Sequence, residues 1–403
     1  MKKLIFGYGA TGKSVEKYFQ KNNVKYCIYD DDDSIKINQE LVFYANKLSE
    51  IDEVIISPGV MPTHKLLSKI NKLGISVITD IDLFNNAYNG KIIGVTGTNG
   101  KTTFTNLLND FFNSQGIKST AVGNIGASPL EIIDKEYEYV VMELSSFQLY
   151  YSKQISLFIA IILNIYEDHL DWHKDLDEYV GSKQKIIGYL SSNYDEVNSD
   201  YINTKNRFFG IKEPLDIESK YDSRISSEIK DNTPYFESTV AIFLEVIDSL
   251  KLNVKAAEEF LKNTDLPEHR FEKVDKFNDV LYINDSKSTN FNSVSMATTK
   301  IDNGILILHG LTKNINSSNL KISEGIKTIL VPKDMEVSLN NINAEIIKLD
   351  SINNLEEKLK EIIKPGDTVL FSCGGASFND FKNYKERGFF FKKIVSNLKD
   401  NNA

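Results

Sequence analysis

The chain has 403 residues, enough for two or three domains with hydrophobic cores, and its formal net charge of −9 argues against a general binder of nucleic acid or anionic membranes. Its two cysteines, Cys27 and Cys373, lie far apart and match no metal-binding spacing, which suits the reducing cytosol. Because no apolar run approaches the ~20 residues of a membrane-spanning helix, and the first apolar run is too short for a signal peptide, we expect a cytoplasmic protein without a membrane span.

The first predicted block covers residues 1–88 and alternates short apolar runs with polar or amphipathic runs. Buried strands are predicted at residues 4–6, 26–29, 54–57 and 76–79. Amphipathic runs such as residues 13–21 and 64–73 separate these strands. This alternation favours a parallel sheet with crossover helices.

A glycine-rich turn follows the first strand and has the sequence Gly7-Tyr8-Gly9-Ala10-Thr11-Gly12. Asp30 lies 18 residues after Gly12, at the end of the next strand. In a dinucleotide-binding fingerprint the glycines let phosphates approach the backbone, and the acid binds a ribose hydroxyl. By itself the pattern favours a nicotinamide cofactor. The alternative is a similar turn that binds another nucleotide diphosphate, or nothing.

The second predicted block covers residues 89–265 and opens with a strand at residues 92–95 and a second glycine loop. The loop reads Gly97-Thr98-Asn99-Gly100-Lys101-Thr102-Thr103, and an amphipathic helix follows with a stop at Gly116. Such a loop gathers backbone N–H groups around phosphates, while Lys101 reaches the outer phosphates and Thr102 ligates Mg²⁺. Val95 occupies the position of the first glycine in the strict motif, so an ordinary strand-to-helix turn is the alternative. We favour a nucleotide site at this loop. A dehydrogenase has no use for a second phosphate loop, so this loop argues against a nicotinamide cofactor at the first glycine turn.

Two acidic segments follow further strands of this block. Glu143 ends a strand at residues 140–143, where its carboxylate is well placed to hold Mg²⁺ in the same sheet as the loop. Residues 164–171 follow a strand at residues 158–163 and contain three acids and His169. An acidic surface is the alternative for both segments, and histidine is an unusual ligand for Mg²⁺.

The third predicted block covers residues 266–403, with strands at residues 281–284, 305–309, 328–331, 345–348 and 368–372. Its motifs are His269-Arg270-Phe271-Glu272 and Asn284-Asp285-Ser286-Lys287-Ser288-Thr289-Asn290. Arg270 suits bidentate phosphate contact, and Lys287 suits a point charge on an oxyanion. Asp285 could accept from a ribose or from water on Mg²⁺. The alternative is that these motifs are ordinary polar loops. The dense clustering of such residues after one strand favours a functional site instead.

Together these motifs resemble the ATP-dependent Mur ligases of peptidoglycan precursor synthesis, over essentially the whole chain and in the family's order. The resemblance rests on residues 94–102, 164–171, 266–272 and 284–290. Residues 143–149 and 376–384, with Arg387 and Gly388 close behind, resemble the members that add D-glutamate. The resemblance implies an α/β protein of three domains: a Rossmann-like N-terminal domain, a central P-loop ATPase-like parallel sheet and a Rossmann-like C-terminal domain.

The resemblance also implies a role for particular residues. The substrate UDP-N-acetylmuramoyl-L-alanine would be bound by the first domain and by Gly9, Ala10, Thr11, Asp30 and Asn124. ATP would be bound by Gly97, Thr98, Asn99, Gly100, Lys101, Thr102, Thr103, Arg270 and Asp285. D-glutamate would be bound by Lys287, Thr289, Lys313, Ser377 and Tyr384, the last replacing the family's usual Phe. Thr102 and Glu143 would hold one Mg²⁺, and His169 with a carbamylated Lys183 a second.

The implied reaction is amide formation through an acyl phosphate, with Lys101, Glu143, His169, Lys183 and Lys287 as catalytic residues. We expect a monomer. Three rival interpretations remain open at the level of sequence: a dehydrogenase, a folylpolyglutamate-type ligase and a non-catalytic nucleotide-binding scaffold. The folylpolyglutamate-type ligase should lack a UDP-binding N-terminal block.

Overall fold

The computed structural model describes residues 2–191, 207–210, 233, 235–312, 320–339 and 342–400. The chain divides into two compact units. The first comprises Met1–Ile165 and Trp172–Thr264, and the second comprises Tyr166–Asp171 and Asp265–Ala403. Among the described residues, the strands form three sheets, two in the first unit and one in the second.

The N-terminal sheet is entirely parallel and has the strand order β2-β1-β3-β4. Its strands are β1 (Lys3–Phe6), β2 (Tyr26–Tyr29), β3 (Glu53–Ile56) and β4 (Ser76–Ile78). Its helices are α1 (Ala10–Lys21), α2 (Lys65–Lys72) and α3 (Asp80–Ala87). All four strands predicted in this block are confirmed to within one residue at each end.

The central sheet is also parallel, with the order β6-β7-β5-β8-β9. Its strands are β5 (Lys91–Thr96), β6 (Ser119–Gly123), β7 (Tyr139–Glu143), β8 (Ile159–Ile162) and β9 (Phe208–Gly210). The helices of this region are α4 (Lys101–Ser114), α5 (Ser146–Tyr151), α6 (Leu176–Gly188), α7 (Glu237–Ser249) and α8 (Val254–Asn263). This is the sheet that carries the second glycine loop, between β5 and α4.

Helix α4 forms because its apolar residues recur at helical spacing and can all be buried on one side. Phe104, Leu107, Leu108, Phe111 and Phe112 are at most 2% exposed. The ring of Phe111 makes edge-to-face contacts with Phe243 of α7 and Phe260 of α8, each at 5.5 Å between centroids. These contacts hold α4, and therefore the loop that precedes it, against the rest of the unit.

The C-terminal sheet has the order β10-β11-β15-β12-β13-β14, and only the β10–β11 pair is antiparallel. Its strands are β10 (Glu272–Phe277), β11 (Val280–Asp285), β12 (Gly304–His309), β13 (Ile326–Pro332), β14 (Glu345–Leu349) and β15 (Thr368–Gly374). The helices are α9 (Phe291–Thr298), α10 (Leu355–Ile362) and α11 (Tyr384–Asp400). The predicted fold class, with parallel sheets alternating with helices, is confirmed.

Most of the sequence motifs follow the carboxyl ends of parallel strands, which meet at one edge of a sheet. Residues 269–272 instead lead into the antiparallel strand β10, where Glu272 pairs with Asn284 near the carboxyl end of β11. None of the helices in the described parts of the chain is long and apolar enough to cross a membrane.

Candidate active site

The loop between β5 and α4 has the backbone of a phosphate-binding turn. Gly100 caps the start of α4 with φ of +79°, a left-handed conformation that favours glycine. Asn164, the second residue after β8, fixes the loop through its backbone and its side chain. Its carbonyl accepts the Thr98 N–H at 3.0 Å, its Oδ1 accepts the Asn99 N–H at 2.8 Å, and its Nδ2 donates to the Asn99 carbonyl at 3.1 Å. The loop is thus held in shape from a neighbouring strand.

Two lysines donate to the same carbonyl of this loop. The ammonium of Lys101 donates to the carbonyls of Gly97 at 2.8 Å and Thr98 at 2.9 Å. Lys183, on α6, also donates to the Gly97 carbonyl at 2.8 Å, although its side chain is almost wholly buried. Its ammonium lies 4.6 Å from the ring centroid of Tyr179, whose hydroxyl bonds the Thr98 hydroxyl at 2.8 Å. The structure thus places Lys183 against the loop, and its predicted role as a metal ligand stays a prediction.

Glu143 ends β7 with its carboxylate buried, at 1% exposure. The side-chain amide of Asn124 donates to Glu143 Oε1 at 2.8 Å, and no described residue donates to Glu143 Oε2. A buried carboxylate oxygen without a donor is costly unless a cation binds it, and Mg²⁺ prefers such hard oxygens. Glu143 therefore fits a magnesium ligand. Asn124 contacts this carboxylate and follows β6 in the central sheet.

Thr102 and Thr103 both lie in the first turn of α4, and the two side chains differ in burial. Thr102 is half-buried, whereas Thr103 is buried. A hydroxyl in this turn can reach a metal ion bound to phosphates at the helix N-terminus. The position of Thr102 is compatible with that role.

The first glycine turn is held by Asp30, at the end of β2. The Asp30 carboxylate accepts the Tyr8 N–H at 2.5 Å and the Asp32 N–H at 2.9 Å. Gly9 caps α1, Ala10 is exposed and Thr11 is half-buried beside it. Asp30 thus fixes the turn itself, and its predicted contact with a substrate stays a prediction.

In the second unit, Asp168 joins two of the sequence motifs. Asp168 is buried; its Oδ1 accepts the His169 N–H at 2.9 Å, and its Oδ2 accepts from the side chain of Asn290 at 3.1 Å. Asn290 also caps α9, through the Ser293 N–H. His169 has φ of +57° and a side chain about one-third exposed. The acidic segment is thereby tied to the motif that follows β11.

Asp285 ends β11 and fixes the loop that carries Arg270. Its Oδ2 accepts from the hydroxyls of Ser288 at 2.5 Å and Ser372 at 2.7 Å, and its Oδ1 accepts the Phe271 N–H at 3.1 Å. Burial raises the pKa of Asp285 to about 6, although these bonds and the charge of Arg270 oppose that rise. Asp285 therefore fixes the backbone at Phe271, the residue that follows Arg270.

The residues predicted for D-glutamate lie around the same edge of the C-terminal sheet. The ammonium of Lys287 lies 4.1 Å from the ring centroid of Tyr384, which starts α11. Ser377 is buried just after β15, and Thr289 is half-buried in the loop after β11. Lys313 lies outside the described residues. The structure thus brings Lys287 and Tyr384 together.

Comparison with known proteins identifies the family. Residues 1–79 match the family model "Mur ligase MurD-like, N-terminal domain", and residues 95–228 match "Mur ligase middle domain". The UDP-N-acetylmuramoylalanine–D-glutamate ligase of Buchnera aphidicola subsp. Acyrthosiphon pisum (strain Tuc7) is 31% identical over 447 residues, covering 98% of each chain. The chain belongs to the Mur ligase family. The resemblance inferred from the motifs is confirmed.

Other members of the Mur ligase family support the assignment. The ligase of the same name from Thermosipho melanesiensis is 30% identical over 443 residues, which cover 100% of this chain and 99% of the relative. A crystal structure of the MurF ligase from Thermotoga maritima in complex with ADP covers 98% of this chain and 95% of its own, with a TM-score of 0.54 and 15% identity. This last likeness concerns the fold alone.

Some residues of this Mur ligase have contacts that the sequence did not reveal. The motifs included Asn164 and Arg387 but assigned neither a role, and they did not include Tyr179. One signal for Arg387 was present: apolar residues recur at helical spacing at positions 391, 394, 395 and 398, and position 387 lies on the same face, which the structure buries. The partners of Asn164 and Tyr179 depend on strand order, which the local sequence does not contain.

Proposed function

We propose that this Mur ligase joins D-glutamate to UDP-N-acetylmuramoyl-L-alanine and converts ATP to ADP and phosphate. The observation that carries the proposal is the match, over the whole chain, to ligases of that name, and the phosphate loop with its lysines supports it. The reaction is a step of peptidoglycan precursor synthesis. We further propose a cytoplasmic monomer with domains at residues 1–88, 89–265 and 266–403 for UDP-substrate, ATP and D-glutamate.

The first chemical step activates a carboxyl group. A carboxylate oxygen of the L-alanyl residue attacks the γ-phosphorus of ATP, the bond from that phosphorus to the β–γ bridging oxygen breaks, and ADP leaves. The approach of one anion to another must be offset by positive charge. We assign this charge to Lys101 and Arg270, with Asp285 holding the loop of Arg270. The backbone around the phosphates is assigned to the rest of the loop: Gly97, Thr98, Asn99, Gly100 and Thr103.

The second step forms the amide bond. The amine of D-glutamate, after losing a proton, attacks the carbonyl carbon of the acyl phosphate; the bond from that carbon to the phosphate oxygen then breaks, and phosphate leaves. We assign the two carboxylates of D-glutamate to Lys287, Thr289, Lys313, Ser377 and Tyr384. Much of the acceleration comes from holding the reactants in position.

Two magnesium sites belong to this proposal. Bound Mg²⁺ would neutralise phosphate charge and polarise the transferring phosphoryl group. Thr102 and the Oε2 atom of Glu143 would hold one ion, and Asn124 keeps Glu143 oriented by its bond to Oε1. We assign His169 and a carbamylated Lys183 to the second ion.

The surroundings of Lys183 support carbamylation. Burial disfavours a charged amine, and a second ammonium, that of Lys101, bonds the same Gly97 carbonyl. A neutral amine reacts with CO₂ to give a carbamate and a proton, and the carbamate is an oxygen ligand that suits Mg²⁺. The modification would replace repulsion between two cations with attraction between an anion and a cation.

The UDP part of the substrate is assigned to Gly9, Ala10, Thr11 and Asp30 at the first glycine turn. Asn124 was grouped with these residues from the sequence. Its bond to Glu143 supports instead a place near the γ-phosphate.

The proposal is tested by phosphate release from ATP with UDP-N-acetylmuramoyl-L-alanine and a panel of D- and L-amino acids. We expect release with D-glutamate that depends on both partners, and little release with the other amino acids. Nucleotide binding without any release would favour a non-catalytic scaffold, and release with another amino acid would correct the acceptor. A change in NAD(P)H fluorescence on mixing would favour a dehydrogenase.

A further inference from the structure

Arg387 is a wholly buried cation in the second unit, one turn into α11. Its Nε donates to the Ser286 hydroxyl at 3.1 Å, and its Nη2 donates to the Ser286 carbonyl at 2.8 Å. Its Nη1 donates to the carbonyls of His309 at 3.0 Å and Gly375 at 2.9 Å. Among the described residues, no carboxylate forms an ion pair with this guanidinium.

The acceptors come from three residues at the ends of three neighbouring strands. Ser286 follows β11, His309 ends β12 and Gly375 follows β15, and the three strands are adjacent in the sheet order β11-β15-β12. The planar guanidinium has five donors in a wide, fixed fork, whereas the three donors of a lysine ammonium sit on one nitrogen and cannot reach all of these acceptors together. Arg387 therefore ties together the carboxyl ends of three strands from the start of α11.

The loops so joined also contact each other directly. Leu311 and Ala376 exchange two backbone hydrogen bonds, each of 2.8 Å. Gly310, with φ of +113°, lets the backbones approach, since a Cβ there would lie 2.3 Å from the Ala376 carbonyl oxygen and 2.8 Å from Arg387 Nη1. The guanidinium and the paired backbones thus form one packed arrangement.

The arrangement extends to the segment that carries Ser377. The ring of His309 bonds the Asp380 carboxylate at 2.9 Å through Nε2, and the Asp380 N–H donates to the Ser377 carbonyl at 3.3 Å. Ser286 itself donates to the Tyr384 carbonyl at 2.8 Å. Each loop bonded to Arg387 therefore lies next to a residue that the proposed function assigns to D-glutamate.

A buried charge without a counter-ion costs free energy that its hydrogen bonds offset only in part. Stability alone is thus a poor reason for an arginine at this place. We propose that Arg387 is a positioning residue for the amino-acid site, setting the loops that carry Lys287, Thr289 and Ser377. This inference rests on the proposed function, because it takes D-glutamate as the ligand of those loops.

The test compares Arg387→Lys with Lys393→Met, which changes an exposed cation on the same helix. We expect Arg387→Lys to raise KM for D-glutamate by about ten- to a hundredfold, because small displacements of binding groups have effects of this size. KM for ATP and for UDP-N-acetylmuramoyl-L-alanine should stay near the wild-type values. Lys393→Met should leave all three constants unchanged.

The inference is overturned if KM for D-glutamate is unchanged. It is also overturned if KM rises by the same factor for D-glutamate, ATP and UDP-N-acetylmuramoyl-L-alanine. If Arg387→Lys does not fold, Asp380→Asn decides instead, since it removes the carboxylate at the solvent end of the network and should raise the same constant by a smaller factor. An unchanged constant in that folded variant also overturns the inference.

Hydrogen–deuterium exchange separates this inference from the proposed function. Without any substrate, Arg387→Lys, or Asp380→Asn in its place, should exchange faster than Lys393→Met at residues 286–290 and 375–381. If the wild-type protein releases no phosphate with D-glutamate, the proposed function fails. The exchange rates then still test whether Arg387 orders these two loops. Equal rates in the variant and the control contradict the positioning role.

Discussion

At the scale of single residues, the centre of the account is the Gly97 carbonyl, which accepts from both Lys101 and Lys183. Lys101 also bonds the Thr98 carbonyl, and under the proposed function it exchanges these contacts for phosphate oxygens of ATP. Lys183 is almost wholly buried and has little freedom to move. Under the proposed function the two lysines therefore differ: Lys101 contacts phosphate, and Lys183 is a carbamylated metal ligand.

We predict that Lys183→Ala reduces turnover to background, because it removes the proposed carbamate, and that formate or acetate partly restores it by supplying a carboxylate. The measurement is phosphate release with and without the added acid. Lys185→Ala is the matched control, since Lys185 lies on the same helix and donates to the carbonyls of Leu149 and Tyr150. Turnover of Lys183→Ala at the wild-type rate would remove the role.

Asp80, the first residue of α3, gives a prediction about pH and stability. Burial raises the pKa of Asp80 to about 6 in the folded protein, from an ordinary value of 3.8. The folded state therefore holds more protons than the unfolded state between these values, so the free energy of unfolding falls as pH rises through this window. The full difference corresponds to roughly 3 kcal/mol.

Asp80→Asn mimics the protonated form, so it should flatten this part of the pH dependence. The measurement is urea unfolding of wild type and variant from pH 4 to pH 7. The stability of the variant relative to wild type should rise across the window. A constant difference between the two proteins at all pH values would contradict the assignment.

At the scale of helices and strands, the sequence predicted the buried strands well because their apolar runs are bounded by polar residues. It missed β6, β9 and β10, and all three lie at sheet edges, where one side of a strand lacks a neighbour and a continuous apolar run is not required. Strand β10, for example, reads Glu-Lys-Val-Asp-Lys-Phe. Such a pattern resembles a polar surface more than a strand.

The sequence indicated which polar residues lie at the strand ends, but not which of them contact each other. The motifs identified Glu143 and Asn124 separately, while their contact depends on β6 lying beside β7. The same holds for Asp168 and Asn290, which are far apart in sequence. Local patterns give residue types at strand ends, whereas pairing follows from strand order.

The junction of β5, its loop and α4 gives a prediction at this scale. We expect Gly100→Ala to lower the free energy of unfolding by roughly 1–2 kcal/mol, because alanine is strained at φ of +79°. ATP should also bind more weakly, because the strained residue lies at the start of α4, in the loop proposed to bind the phosphates. The measurements are urea unfolding and nucleotide titration.

Gly181→Ala is the control for this experiment. Gly181 lies inside α6, and a Cβ there would meet no atom within 4 Å, so alanine should stabilise the helix by roughly 0.5–1 kcal/mol. Equal effects of the two substitutions on stability would contradict the argument.

At the scale of the whole molecule, the sequence predicted three α/β blocks, and a sheet lies in each of them. The first two sheets share one compact unit, whose apolar cluster includes Ile5 and Phe84 with Ile92 and Val140. The boundary between residues 88 and 89 therefore stays a proposal. Residues Tyr166–Asp171 group with the C-terminal unit, a long-range association that no local pattern indicates.

The central claim for the whole molecule is that ATP activates a carboxyl group for attack by an amine. The most direct measurement uses UDP-N-acetylmuramoyl-L-alanine with ¹⁸O in its carboxylate and analyses the released phosphate by mass spectrometry. We expect one labelled oxygen in each phosphate released with D-glutamate, because the acyl phosphate breaks between carbon and that oxygen. Amide product formed together with unlabelled phosphate would contradict it.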